Sequence, residues 1–145
     1  MAGQYLVTAL AGARIAFDLA HVVEIARGST PMPVPGAAAG IGGLVYLRGH
    51  ILPVIDLAAC LGINPAMPPE NKGMNVIVAH DGTLYSFQVD AVFETVSIAA
   101  ADVQPLPPHL GAAWQRFGGG VCPRGDGLIV MLDAPALLES YRAAR

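Results

Sequence analysis

The four histidines, at 21, 50, 80 and 109, are the side chains best suited to hold a metal or move a proton near neutral pH. Their spacing pairs none of them with another, or with either cysteine, on one helical turn or across one hairpin. A metal centre needs three or four converging ligands, so the histidines are expected at turns or on the surface, with no metal bound. Asp56, Asp90 and Asp133 each close an apolar run. A carboxylate there accepts backbone N–H groups from a turn or helix start, and that role is expected in place of acid–base catalysis. Neither a Ser-His-Asp nor a Cys-His set is discernible, so no catalytic residue and no cofactor are expected. Gly118-Gly119-Gly120 has the composition of a phosphate loop but lacks the Lys-Ser/Thr step and the helix start that a nucleotide site requires. A strand bulge or a close backbone crossing accounts for it better.

One charge stands in a more telling place. Tyr46-Leu47-Arg48-Gly49-His50-Ile51-Leu52-Pro53-Val54-Ile55-Asp56-Leu57 has two apolar runs around an Arg-Gly step. Glycine reaches positive φ without steric cost, so Gly49 lets the chain reverse while Arg48 holds a charge at the rim. Taken alone, the arginine either solvates the end of a hairpin or marks a surface that a partner reads.

The elements that must position these residues are short strands. Tyr5–Leu10 and Arg14–Phe17 flank Ala11-Gly12-Ala13 and predict an opening hairpin, with Asp18 placed to cap a helical turn. His21–Ile25 is expected to lead from that turn into a strand with its apolar positions inward and Glu24 outward. Thr30–Gly36 is extended by its prolines. Leu44–Leu47 and Ile51–Ile55 read as strands, and Leu57–Leu61 as a helical turn stopped by Gly62. Asn64–Gly73, with its prolines, is the expected linker between halves. Asn75–His80 and Thr83–Val89 flank Asp81-Gly82, the strongest hairpin signal in the chain. Ala91–Val96 continues as strand. Phe117–Cys122 and Leu128–Leu132 flank a further turn, while Trp114 and Phe117 are expected in the core. Asp133 and Pro135 open a closing helix that buries Leu137, Leu138 and Tyr141. Short strands with Gly/Pro punctuation indicate small barrels.

Composition narrows the function. At 145 residues the chain suits one domain, or two small subdomains with a common core. An apolar fraction of 54% with 13% charged residues exceeds what one buried face needs, so part of the surplus is expected to cover partner surfaces. A net charge of -3 without any Lys/Arg cluster excludes a nucleic-acid footprint. Prolines and glycines interrupt the uncharged run from Gly28 to Leu47, so it is not a membrane span. The first apolar segment lacks a positive leader, which favours a cytoplasmic first strand. Cys60 and Cys122 are expected as reduced, packed thiols.

In order and spacing, these landmarks resemble the CheW-like domain, the coupling module of bacterial chemosensory arrays. Phe17, Val23-Glu24-Ile25, Pro33-Val34-Pro35-Gly36, Gly43–Gly49 and Leu52–Leu57 carry the resemblance in the first half. Val89–Val92, Gly125–Asp133 and Leu137-Leu138 carry it in the second. The resemblance implies a mostly β fold, with two small SH3-like five-stranded barrels over a shared hydrophobic core, short helices and a C-terminal helix, all within a single domain spanning 1–145. It implies a non-catalytic adaptor in the cytoplasm, associated with membrane receptor arrays only through its partners. Those partners are the cytoplasmic tip of a methyl-accepting chemoreceptor and the regulatory domain of a CheA-type histidine kinase.

By the same resemblance, Arg48 matches the family's Asn-Leu-Arg-Gly arginine, and Val22, Val23 and Glu24 match a segment implicated in partner contacts. A guanidinium offers planar donors to a receptor helix, while apolar grooves supply most of the affinity. The chain departs from the family pattern at Tyr46, usually Asn, and at Ala58, often Arg, which bears on partner preference. Two rival readings remain from the residues: the same adaptor role in a non-flagellar system such as one serving type IV pili, and a small barrel that binds a ligand or catalyses a reaction in an apolar cleft.

Overall fold

Alternating apolar residues punctuated by glycine turns form ten strands and three α-helices among residues 2–27, 32, 41–47, 49–62, 73–125 and 127–143, which are those that the computed structural model describes. β1 (Ala2–Leu10) and β2 (Ala13–Asp18) make the expected first hairpin. Its turn places Ala11 at φ 50° and Gly12 at φ 86°, and the Ala11 N–H donates to Asp90 Oδ2 at 2.8 Å. Asp18 caps a 3-10 turn, Leu19–His21, by accepting from the Ala20 N–H, and β3 (Val22–Arg27) follows. β4 (Ile41–Leu47) and β5 (His50–Ile55) form the second hairpin, and α1 (Leu57–Leu61) ends at Gly62 in the left-handed conformation. β6 (Met74–His80) and β7 (Thr83–Val89) turn at Asp81-Gly82, both at positive φ, as a two-residue hairpin of this hand requires. Then come β8 (Ala91–Ala99), α2 (Ala112–Phe117), β9 (Gly118–Arg124), β10 (Gly127–Leu132) and α3 (Ala134–Ala143).

The strands form two five-stranded sheets, the first ordered β8-β1-β2-β10-β9 and the second β3-β6-β7-β5-β4. Each is tied across its outer strands by a two-way backbone bridge. Gln104, beyond β8, pairs with Val121 of β9, and Met32, beyond β3, pairs with Leu44 of β4. The barrels expected from the sequence are thus present. The expected linker at 64–73 lies outside the described residues apart from Gly73. β5 and β6, on either side of it, belong to one sheet, so the chain changes sheet between β2 and β3 and again between β7 and β8.

One core joins the sheets. Leu6, Ile15 and Phe17 of the first meet Ile55, Val76 and Phe87 of the second, together with Leu57, Leu137 and Leu138 from α1 and α3. Phe17 and Phe87 pack edge-to-face with ring centroids 5.4 Å apart. Phe117 is buried here and Trp114 packs against the same core, as expected of both. Leu137 and Leu138 lie on the buried face of α3, while the side chain of Tyr141 lies outside the described residues. Cys122 is buried inside the first sheet, and no disulfide joins it to Cys60.

The three strand-end aspartates serve as backbone acceptors. Asp56 accepts from the Ala59 N–H and Asp133 from the Ala136 N–H, capping α1 and α3, while Asp90 holds the first hairpin turn. Asp133→Ala is expected to cost about 1 kcal/mol, roughly 3 °C in melting temperature, because α3 then starts without its cap. An unchanged melt would show that the cap contributes nothing. The triple glycine is structural too. Gly119 is the extra residue of a bulge, since Gly118 faces Leu132 and Gly120 faces Met131. Gly120 sits at φ 129°, where a Cβ would stand 2.6 Å from Val103 Cγ1 and 2.9 Å from the Gln104 carbonyl oxygen.

The two sheets are permuted copies of one plan. The second uses β3 to β7 in succession, and the first uses β8 to β10 and then β1 and β2 in the same spatial order. β5 and β10 share one burial pattern, and each leads into an Asp-capped helix. Each first strand also bulges at the same place. Val23 is the extra residue opposite Ile77 and Val78, and Phe93 is the extra residue opposite Val7 and Thr8. Val22-Val23-Glu24 and Val92-Phe93-Glu94 are therefore structural equivalents.

Candidate partner-binding surface

β3 carries three of the four residues singled out from the sequence. As an outer strand of the second sheet, it bonds only β6 along its length among the described residues. Its end is held by Asn75, whose Nδ2 donates to the Arg27 carbonyl at 3.1 Å, while the buried Ser86 hydroxyl donates to Asn75 Oδ1 at 3.0 Å. A satisfied pair of buried polar side chains therefore fixes the strand against the sheet.

The phase of β3 differs from the expectation. Val22 pairs with Val78 and packs against the shared core, and Glu24 pairs with Ile77 and is half-buried, whereas Val23 and Ile25 are 57% and 39% exposed. The expected inward Val23 and Ile25 and outward Glu24 are corrected accordingly. The bulge is the reason: the extra residue at Val23 sets which later side chains face β6's inner side.

Arg48, the fourth residue, lies outside the described residues. Around it, Tyr46 and Ile51 are directly opposed on the β4–β5 ladder and are 70% and 66% exposed. Cross-strand neighbours of this kind present one continuous apolar contact. Tyr46 is one of the two positions that the resemblance marks as departures, and its aromatic ring stands in solvent. Val23, Ile25, Met32, Tyr46 and Ile51 thus give the second sheet exposed apolar side chains on both outer strands and on the bridge between them. Sequence reasoning missed Ile51 because an apolar residue in an apolar run reads as buried. The matching exposure of Leu128 on β10 shows that the plan repeats.

The histidines do not assemble with one another. His80 ends β6, and its Nε2 lies 2.6 Å from Glu139 Oε1 of α3 and 3.8 Å from Asp81 Oδ2. The contact ties the β6–β7 turn to α3, and both carboxylates are more than half exposed, so it contributes at most about 1 kcal/mol. No helix among the described residues is long and apolar enough to cross a membrane.

Two bridged five-stranded sheets over a common core, with apolar side chains left on their outer strands, define a twin-barrel module of the scaffold class. The chain belongs to the CheW-like domain family, whose model matches residues 4–142. It is 29% identical over 115 residues to the chemotaxis protein CheW of Rhizobium meliloti, covering 79% of this chain and 74% of that protein. Over 126 residues it is 30% identical to the chemotaxis protein CheW of Thermotoga maritima, covering 86% and 80%. The crystal structure of the scaffolding protein TtCheW from Thermoanaerobacter tengcongensis superposes with a TM-score of 0.81 at 28% identity, covering 94% of this chain and 88% of that one. The family is one of non-catalytic chemotaxis scaffolds, and the mostly β, two-sheet fold agrees with it.

Proposed function

We propose that this chain is a cytoplasmic adaptor that couples the cytoplasmic tips of methyl-accepting chemoreceptors to the regulatory domain of a CheA-type histidine kinase. Residues 1–145 act in this reading as one domain with two barrel subdomains. The observation that carries it is the set of exposed apolar residues on the second sheet, Val23 and Ile25 on β3, Tyr46 on β4 and Ile51 on β5. An adaptor must hold two partners at once, and exposed apolar side chains on three strands of one sheet supply contact area for them. Arg48, between Leu47 and Gly49 in sequence, adds a charge that orients a receptor helix, while apolar area supplies the affinity.

Receptor-containing membranes sedimented with the cognate kinase test the reading. The kinase is expected to pellet in larger amount when this protein is present, and wild-type protein that binds neither partner sinks the adaptor role. Arg48→Glu is expected to weaken receptor co-sedimentation about tenfold, with the melting temperature nearly unchanged, as for loss of an interfacial charge contact. A large drop in melting temperature would assign Arg48 to bracing the hairpin instead.

A further inference from the structure

We propose that the open end of the first sheet is a second docking site, one that takes a protein segment carrying carboxylates beside an apolar side chain. A half-open cleft of about 350 Å³ lies there. Its floor is the buried Val7, Val96 and Ile129, and its rim includes the exposed Arg14, Phe93 and Arg124. Clefts at barrel mouths with an apolar floor and a few polar groups at the edge are common binding sites.

Charge identifies the occupant. Among the described residues that line the cleft, Arg14 and Arg124 stand with one carboxylate, Glu94, a local positive excess in a chain whose net charge is -3. The Arg14 guanidinium carbon lies 5.8 Å from the centre of the Phe93 ring, a cation–π arrangement that steadies both side chains at the rim. Guanidinium groups recognise carboxylates through paired N–H donors, and an exposed aromatic beside them anchors an aliphatic side chain. Phe93 itself is 54% exposed, which leaves much of its apolar surface in water when the cleft is empty.

The repeat supports the same conclusion independently. Phe93-Glu94 holds in the first sheet the bulged place that Val23-Glu24 holds in the second. Where the second sheet presents an aliphatic contact, the first presents an aromatic one with arginines beside it. The proposal deepens the adaptor reading by naming a further surface and the chemistry of its partner.

The test is a titration of the isotope-labelled full chain, followed by backbone amide shifts, with a short peptide that carries one leucine between two aspartates. A control peptide has asparagines in their place. Saturable shifts are expected at Val7, Phe93, Gly125 and Ile129, with at least tenfold weaker binding of the asparagine peptide. Arg14→Glu combined with Arg124→Glu is expected to weaken the aspartate peptide at least tenfold, while Thr83→Asp, at the exposed start of β7, leaves its affinity unchanged. Should the double variant lose its dispersed spectrum, Arg124→Gln at the exposed end of β9 serves alone, with a several-fold loss expected. Equal affinity for the two peptides, no saturation at millimolar peptide, or shifts confined to the second sheet would overturn the proposal. So would hexanoate binding as tightly as the peptide, which would assign the cleft to a small carboxylate, or self-association abolished by the arginine variants, which would assign it to a second copy. This titration involves neither receptor nor kinase, so its failure is separable from failure of the adaptor role.

Discussion

Phe87→Ala is expected to destabilise the protein by about 3–5 kcal/mol, the range for removing a fully buried phenylalanine. Phe87 has no solvent exposure and meets Phe17 of the other sheet edge-to-face, so the cavity opens where the two sheets join. A domain of this size has roughly 5–15 kcal/mol in all, and the variant would lose about a fifth or more of that. Because the shared core draws on both sheets and on α1 and α3, the loss is expected to appear in both. Urea denaturation followed by circular dichroism gives the magnitude. Amide exchange gives the distribution, and protection lost from the second sheet alone would show that the sheets are energetically separate.

Val23→Asp has the largest expected effect on binding. It puts a charge on the bulged, outward position of β3, where the wild-type side chain is 57% exposed and contributes little to folding. A loss of about 2 kcal/mol in binding the kinase regulatory domain, close to thirtyfold in dissociation constant, is expected if Val23 anchors that contact. Stability is expected to stay within about 0.5 kcal/mol, the usual range for a surface substitution. Calorimetric titration of the kinase domain reads the first quantity and thermal denaturation the second. Unchanged affinity would remove β3 from the interface, whereas a large stability loss would make the residue structural.

Local features were legible in the sequence where one residue type answers one local need. Asp81-Gly82 supplies two positive φ values, Gly62 stops α1, and the carboxylates of Asp56 and Asp133 accept the first N–H groups of their helices. Features set by distant pairing were not. The six-residue α2 lies between a proline pair and a triple glycine, too short for an apolar period to emerge, and packing of Trp114 and Phe117 decides it. The phase of β3 depends on a bulge opposite β6, which local alternation cannot report. Of the site, the β3 segment and the Arg-Gly hairpin were marked by their resemblance to a family. Tyr46 was marked by departing from it, but its exposure opposite Ile51 needed the register. Phe93 carried a signal that was there to read, because Val-Val-Glu at 22–24 returns as Val-Phe-Glu at 92–94.

The permuted plan also sets an order of assembly during synthesis. The second sheet is drawn from one continuous stretch, β3 to β7, and all its strands are available once Val89 has emerged. The β1–β2 hairpin is made first but waits longest, because β2 bonds in parallel to β10, near the end of the chain. Until then the outward edge of β2 is an unpaired strand, open to pairing with other chains. The shared core shortens that exposure, since Leu6, Ile15 and Phe17 can settle on the finished second sheet before β10 arrives. The sheet completed first is thus expected to template the one begun first, and weakening their junction is expected to increase aggregation during synthesis as well as to lower the final melt.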